Sequence, residues 1–511
     1  MGQVGFQQLV DAAGLAQAFP APVLAEVDGY LAAPGVDDAA LVDRTGLPFV
    51  TIDGPTTRDL DQAVHVEETG TGFRLRYAIA DASYYVRPGT ALFAEALRRG
   101  ASFYLPGLSV PMLPRALSEG LISLGPDVDR RALVFDVSFD GRGTVTRFAL
   151  ERARVRSRAK LAFGDVAALI AADSPLAPNL RAVLRLGALR AHHPDRAAMV
   201  RYRRAETSVS LATDGTLVVD SAPRSPVEDA NEQISILCNA LGARWLAGGP
   251  PELVQPIYRV HEPPDPARVA GFERLVAAVA HLRGLPDDPW AYRRAADLGL
   301  GGYLEQLPTD GEPGRLARAL HRQAMLLNGR SRFDAEPRPH FGVGEQVYSR
   351  FTAPMREIVG VQCHAQAIER MDGASPRTRD DDEAIRAQVI DAANHAKDVQ
   401  RNLDHELDAL IVAAVLGPDL ARPLAERPRR TGTVVGFAPS KIYIVLDHPP
   451  IDVRATLFDQ AKQHGGGWLI VADEGARLAR KSDDLTIARL GDCVQVRATA
   501  PDAVVIADAV E

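Results

Sequence analysis

Cysteine is scarce: the 511 residues hold three, Cys238, Cys363 and Cys493, far apart and with no CxxC pair. That excludes a disulfide framework or a cysteine-rich zinc site and points to a reducing compartment. Long apolar runs are missing too. Nothing approaches the ~18 to 20 uninterrupted apolar residues a membrane span needs, and the start MGQVGFQQLVDAAGLAQAF lacks the basic-then-apolar layout of a secretory signal. A soluble, cytoplasmic chain with no membrane contact is expected. Neither an internal repeat nor a low-complexity tract is found, which removes solenoid and disordered readings. An overall basic excess is also lacking: 58 Lys and Arg stand against 66 Asp and Glu, a net charge of −8.

What is present is the composition of a globular protein, 46% apolar and 24% charged, long enough for two to four cores. Its charge is unevenly spread. From Ala149 to Arg204 twelve basic residues (Arg152, Arg154, Arg156, Arg158, Lys160, Arg181, Arg185, Arg190, Arg196, Arg201, Arg203, Arg204) face four acids (Glu151, Asp165, Asp173, Asp195), so this segment carries +8 and the remainder −16. A chain that gathers its cations in one place can hold a polyanion in one channel without coating itself in it.

Residues 1–46 read as a small helical module, with Pro20 and Pro22 introducing APVLAEVDGYLAA and a turn at Pro34-Gly35. Strand-like runs follow, FVTID, AVHVEE, FRLRYAIA and ALVFDVSFD, bounded by Gly, Pro and Asp. Residues 225–420 then turn mostly helical, which predicts an α+β body over 47–421. GPDLARPLAERPRR has the composition of a linker, and RTGTVVGF, KIYIVLD, GWLIVADEG and CVQVRATA beyond it predict a small five-stranded barrel over 428–511.

The sharpest local feature is Thr51-Ile-Asp-Gly-Pro-Thr-Thr-Arg-Asp-Leu-Asp-Gln62, which sets Asp53, Asp59 and Asp61 around a Gly-Pro turn. Hard divalent cations take oxygen ligands, and one irregular loop can supply several; an Asp-rich turn serving only its own backbone has the same pattern. In Arg152-Ala-Arg-Val-Arg-Ser-Arg-Ala-Lys160 cations occupy alternate positions, so an extended strand puts all five on one face, about 6.8 Å apart, near the phosphate spacing of a single strand. A charged edge strand guarded against aggregation is the alternative. Arg350 and Arg356, in HFGVGEQVYSRFTAPMRE, are either phosphoryl clamps or surface arginines. Tyr84, Tyr85 and Tyr104 read as core aromatics or base-stacking platforms, and His261 as a structural hydrogen-bonding histidine.

Together these segments resemble one family, the ribonuclease II / ribonuclease R (RNB) exoribonucleases, from about Leu47 to Ala421. TIDGPTTRDLDQAV is similar to its aspartate motif; AIADASYYVRPGTALFAEALRRGASFYLPGLSVPMLPRALSEGLISL, ALVFDVSFD, YRVHEPPDP and HFGVGEQVYSRFTAPMRE follow in the family's order. The carboxy-terminal barrel is similar to an S1 (OB-fold) RNA-binding domain. The resemblance implies a monomeric, Mg²⁺-dependent hydrolytic enzyme that takes single-stranded RNA by its 3′ end and releases nucleoside 5′-monophosphates. It implies Mg²⁺ on Asp53, Asp59, Asp61 and Gln62, with Asp61 indispensable, and Arg356 stabilising the transition state. Tyr104 would stack on the terminal bases and Glu232 would contact a terminal sugar. Phe163 and Tyr202, with Arg152, Arg154, Arg156, Arg158 and Lys160, complete the expected RNA contacts.

The departures are specific. Gln62 stands where the family has a fourth aspartate, and Phe163 where a Tyr is common. In the arginine motif Ala353 replaces Ser, Glu357 a second basic residue, Ile358 a Tyr and Gly360 an Asp. About 45 residues precede the catalytic body, too few for two cold-shock barrels, so a differently built, more open RNA entrance is expected. These changes motivate one rival, a catalytically decayed RNB-fold RNA-binding protein; cleavage of DNA is a third reading, disfavoured if the site reads the 2′-hydroxyl.

Overall fold

The computed structural model describes residues 3–194, 199–200, 202, 206–212, 217–222, 224–293 and 299–509. Arg196, Arg201, Arg203 and Arg204 of the basic segment lie outside the described residues. Two helices, α1 (Gln3–Ala12) and α2 (Ala21–Ala32), are followed by strands β1 (Val42–Asp43), β2 (Phe49–Asp53), β3 (Gln62–Thr69) and β4 (Gly72–Ala80). After helix α3 (Ala91–Arg99) come a hairpin of β5 (Phe103–Leu105) and β6 (Leu108–Val110) and two long strands, β7 (Asp129–Asp140) and β8 (Val145–Ala162).

The main sheet has the order β1-β8-β2-β3-β4-β7, antiparallel except where β8 meets β1 and β2. With 18 residues, β8 bonds β7 along its first part and β2 along its last, so the sheet curls back on itself. Its core holds Phe49, Val50, Leu75, Tyr77, Phe135 and Val137, and such burial stabilises by about 25 cal/mol per Å² of apolar surface. Helices α4 (Asp165–Ala171) and α5 (Ala177–Ala191) follow, then a hairpin of β9 (Glu206–Leu211) and β10 (Leu217–Ala222), then α6 (Pro226–Ala247). Helix α5 packs on β3, and α6 on α5. A reciprocal capping box starts α6: Glu228 N–H donates to Ser225 Oγ at 3.3 Å and Ser225 N–H to Glu228 Oε2 at 2.6 Å.

Strand β11 (Tyr258–Val260) pairs with β12 (Arg332–Asp334). Between them α7 (Pro266–Arg283), α8 (Asp287–Trp290), α9 (Gly299–Gln306) and α10 (Gly311–Met325) build a second core around Phe272, Tyr303, Leu304 and Leu320. Helices α11 (Ile358–Asp372) and α12 (Arg379–Leu416) complete the body. The final segment contains β13 (Arg430–Ala438), β14 (Lys441–Leu446), β15 (Asp452–Thr456), α13 (Leu457–Gln463), β16 (Leu469–Ala472), β17 (Arg477–Arg480), β18 (Thr486–Arg489), β19 (Cys493–Ala500) and β20 (Ala503–Ala509). Five of these strands close a barrel in the order β13-β14-β15-β20-β19.

The α+β body and closed barrel match the sequence reading; one detail does not. The strand in GWLIVADEG lies outside the barrel, in a three-stranded sheet with β17 and β18, and β15 and β20 take the remaining barrel places. The helices of the first 46 residues pack into the body. Phe6 and Val10 of α1 pack with Phe103, Val110, Ala396 and Leu403, Val23 and Val27 of α2 enter the main core, and β1 bonds β8. The barrel is likewise joined to the body: Arg315 of α10 donates to Thr433 and Asp447, and Ile411 and Leu416 of α12 share the barrel's apolar core. Among the described residues no helix is long and apolar enough to cross a membrane.

Candidate active site

Asp53 ends β2 and Gln62 begins β3, so the aspartate loop is a link between two paired strands. Its irregular backbone is satisfied from outside. Leu60 N–H donates to Ser123 Oγ at 3.1 Å, Ser123 Oγ to Arg58 O at 2.7 Å, Leu124 N–H to Leu60 O at 3.0 Å, and Lys160 Nζ to Pro55 O at 2.9 Å. Buried peptide groups need such partners, and here they fix where the carboxylates stand.

Asp61 is 3% exposed. Its Oδ1 accepts from Met355 N–H at 3.0 Å, while Oδ2 is buried without a hydrogen-bond partner, 3.3 Å from Arg356 Nε. Burial pushes the Asp61 carboxyl up to about 7 and that of Asp53 up to about 6, each against the pull of the Arg356 guanidinium and with Asp59 adding its repulsion. Arg356 and Tyr104 combine two properties. Burial is the largest influence on both titrations, yet 39% of the Arg356 side chain and 47% of Tyr104 stay open to solvent. The Tyr104 hydroxyl donates to Asp59 Oδ2 at 2.5 Å, which closes the set of Asp53, Asp59, Asp61, Arg356 and Tyr104.

The loop carrying Arg356 is seated by α6. Asn239, fully buried, accepts from Phe351 N–H at 2.7 Å and donates to Thr352 Oγ1 at 3.0 Å, and Ser235 Oγ donates to the same hydroxyl at 3.0 Å. At Gly242 a Cβ would stand 2.5 Å from the Phe351 ring, so only glycine lets loop and helix approach this closely. Asn239 and Ser123 were missed by sequence reasoning. The available signal for Asn239 was a lone polar residue within the apolar run ILCNALG; Ser123 offered none.

Gln62 Oε1 accepts from the Tyr77 hydroxyl at 3.0 Å and its Nε2 donates to Thr352 O, so the amide ties the aspartate loop to the arginine loop. The five cations of the comb all lie on β8; between them Ala153, Val155 and Ser157 are buried and Ala159 is partly buried, and the cationic face is engaged by partners. Arg152 pairs with Asp372 at 2.7 Å, Arg154 with Asp43 at 2.9 Å and Arg156 with Asp129 at 2.6 Å, while Arg158 donates to Thr45 O. Lys160, whose charge reaches Asp53, is the member that adjoins the carboxylates.

Glu232 sits in the second turn of α6, next to Asn231, which donates to Ile52 O, and pairs with Arg224 at 3.1 Å. Phe163 is half-buried against the main core. Tyr202 is not brought to the carboxylates: it packs against the second core and its hydroxyl donates to Asn328 Oδ1 at 3.0 Å. Tyr85 is core, Tyr84 is covered by Arg131, and His261 accepts from Gly342 N–H at 3.1 Å in a structural role.

The donors fit a hard divalent cation in kind, being carboxylate oxygens with one buried oxygen, Asp61 Oδ2, free of hydrogen bonds. They do not yet enclose one. Among the described residues no three His, Cys, Asp or Glu side chains are arranged to hold a metal ion. Tyr104 occupies Asp59, and Arg356 leans on Asp61.

A curled sheet, a closed barrel and an aspartate loop whose buried Asp61 faces one arginine define a class of protein, and residues 42–368 match the RNB domain. The chain belongs to the RNB family. Among curated proteins it is 32% identical to Ribonuclease R of Vibrio cholerae over 339 residues, 63% of this chain and 39% of that protein. It is also 32% identical to Exoribonuclease 2 of Erwinia tasmaniensis over 331 residues, 62% of this chain and 48% of that one. The chain thus matches about two fifths to one half of these relatives' length. The structure of Mycoplasma genitalium RNase R in complex with ribose-methylated single-stranded RNA shares the fold, with a TM-score of 0.85 at 19% identity, covering 98% of this chain and 77% of that one.

Proposed function

We propose that this protein is a Mg²⁺-dependent, hydrolytic 3′→5′ exoribonuclease that releases nucleoside 5′-monophosphates from single-stranded RNA. The observation that carries the reading is the buried Asp61 carboxylate, one oxygen free, set 3.3 Å from the guanidinium of Arg356 beside Asp53 and Asp59. The names of the relatives, Ribonuclease R and Exoribonuclease 2, support it.

Asp53, Asp59 and Asp61 would hold the cation, which supplies a Lewis acid and a water of lowered pKa. The rest falls to the chain's own groups. Attack forms a bond from water oxygen to phosphorus and breaks the bond to the 3′-oxygen of the upstream nucleotide; the water proton ends on that oxygen, leaving RNA with a 3′-hydroxyl. Arg356, already oriented by Asp61, bears on the phosphoryl oxygens as their charge grows. Tyr104 offers an exposed ring for the terminal base. Glu232 is suited to a terminal sugar hydroxyl, Phe163 to a second stacking contact, and Lys160 to the backbone near Asp53. The five-stranded barrel is the S1-type surface for RNA further from the 3′ end.

The test is product analysis on one homopolymeric RNA with Mg²⁺. A 5′-labelled strand yields a descending ladder and a 3′-labelled strand yields labelled mononucleotide at once; a gel shift with no product sinks the proposal. A second outcome concerns pH. With carboxyls at about 7 and about 6, a cation must displace protons below neutrality, so its apparent affinity falls as pH drops through 7. Calorimetry with Mn²⁺ is expected to show binding about tenfold or more weaker at pH 6 than at pH 8. Equal affinity at both would show that these carboxyls do not bind it.

A further inference from the structure

Glu357 follows the arginine assigned to the reaction and stands where the family resemblance leads one to expect a second cation. It is the residue before α11, the position where an acidic side chain would normally accept from the first free N–H groups of the helix. It makes no such bond. The carboxylate turns instead to Arg350, which meets it side-on: Nη2 to Oε1 at 2.7 Å, and Nε to Oε1 and Oε2 at 3.0 and 3.2 Å. Three more cations feel the same charge, namely Arg259 of β11, Lys397 of α12 and Arg356 itself. Lys397 is anchored away from the carboxylate by Ser331, whose O and Oγ accept from Nζ at 2.8 Å.

The backbone here links the two exposed groups of the site. Ser102 N–H donates to Arg356 O and Ile358 N–H to Gly100 O, each at 3.0 Å, and Ala101 bridges Glu357. Gly100 to Ser102 leads directly into β5 and Tyr104. At Gly360 a Cβ would meet Pro354 Cα at 2.7 Å, so the turn before α11 is as tight as it can be. Whatever holds Glu357 therefore holds Arg356 and, through the bridge, the strand of Tyr104.

We propose that Glu357 is a positioning residue: paired with Arg350, it fixes the peptide of Arg356 and supplies the counter-charge that keeps Arg350 from driving Arg356 off its line to Asp61. The cation-to-anion change at 357 is thus matched by an arginine at 350 and leaves the arginine of the reaction with a balanced neighbour. The inference rests on the exoribonuclease reading, because its effect is read as RNA turnover.

The test compares wild type, Glu357→Gln and the double variant Arg350→Gln with Glu357→Gln on single-stranded RNA. The single variant keeps shape but leaves Arg350 unpaired, so kcat is expected to fall by about tenfold to a hundredfold, with KM unchanged or lower because the site has become more cationic. In the double variant both charges are gone, and kcat is expected to recover to within about tenfold of wild type, since removing a pair together is far milder than breaking it. A single variant within about twofold of wild type in kcat overturns the proposal, as does a folded double variant no faster than the single. Should the single variant not fold, the double variant decides alone: near-wild-type kcat with unchanged KM supports the pairing, and loss as deep as that of an Arg356 variant contradicts it. Wild type inactive on RNA would instead refute the exoribonuclease reading.

Discussion

Replacing Asp61 with Asn is expected to slow RNA turnover by about a thousandfold or more while the RNA stays bound. The side chain is nearly isosteric, so the shape of the site is kept; what goes is the charge of Asp61, whose buried Oδ2 has no hydrogen-bond donor. Binding measured by filter retention should match wild type while product formation disappears. Stability should move in the opposite direction. The folded pKa of Asp61, about 7, lies above the roughly 3.9 of an unfolded aspartate. For an acid raised in this way the favourable contribution is complete below about 3.9 and is lost as pH rises to 7. At pH 8 without metal, wild type therefore bears the full cost of a buried charge, and Asp61→Asn should melt several degrees higher in chelator. Added Mg²⁺ should raise the melting temperature of wild type and leave the variant nearly unmoved. A variant that is less stable than wild type in chelator would mean that the carboxylate is held by more than the present donors.

The second large effect is at Arg356. Arg356→Lys keeps the charge but gives up the planar fork whose Nε faces Asp61, leaving the other nitrogens for a phosphoryl group. A lysine can serve Asp61 or the phosphate, not both, and kcat is expected to fall by about 10² to 10³ with a small change in KM, the size of loss seen when one fixed transition-state donor is removed. Steady-state kinetics on a short single-stranded RNA reads it. A fall confined to KM would recast Arg356 as a ground-state RNA contact.

Local pattern carried much of the fold. The runs FVTID, AVHVEE and FRLRYAIA became β2, β3 and β4 because each is apolar enough to be buried in a curled sheet, and the loop between β2 and β3 carried its carboxylates into the site. What the pattern could not carry was the identity of distant partners. The alternation of Arg152 to Lys160 correctly implies a strand with one cationic face, yet the acids that neutralise it, Asp372, Asp43 and Asp129, come from other segments. The partner of the Gln62 amide, Thr352 O, is 290 residues away. Likewise α1 and α2 are helical by local signals, but only three-dimensional packing reveals that Phe6 and Val23 complete cores built elsewhere.

The most direct measurement is anomalous scattering from crystals soaked in Mn²⁺ with a non-cleavable single-stranded RNA. One peak is expected about 2.1 Å from Asp61 Oδ2, with Asp53 or Asp59 as a further ligand, the Tyr104 hydroxyl released from Asp59, and the last phosphate against Arg356. Absence of a peak there, or a cation bound elsewhere while the last phosphate lies against Arg356, would contradict the assignment of these aspartates to hydrolysis.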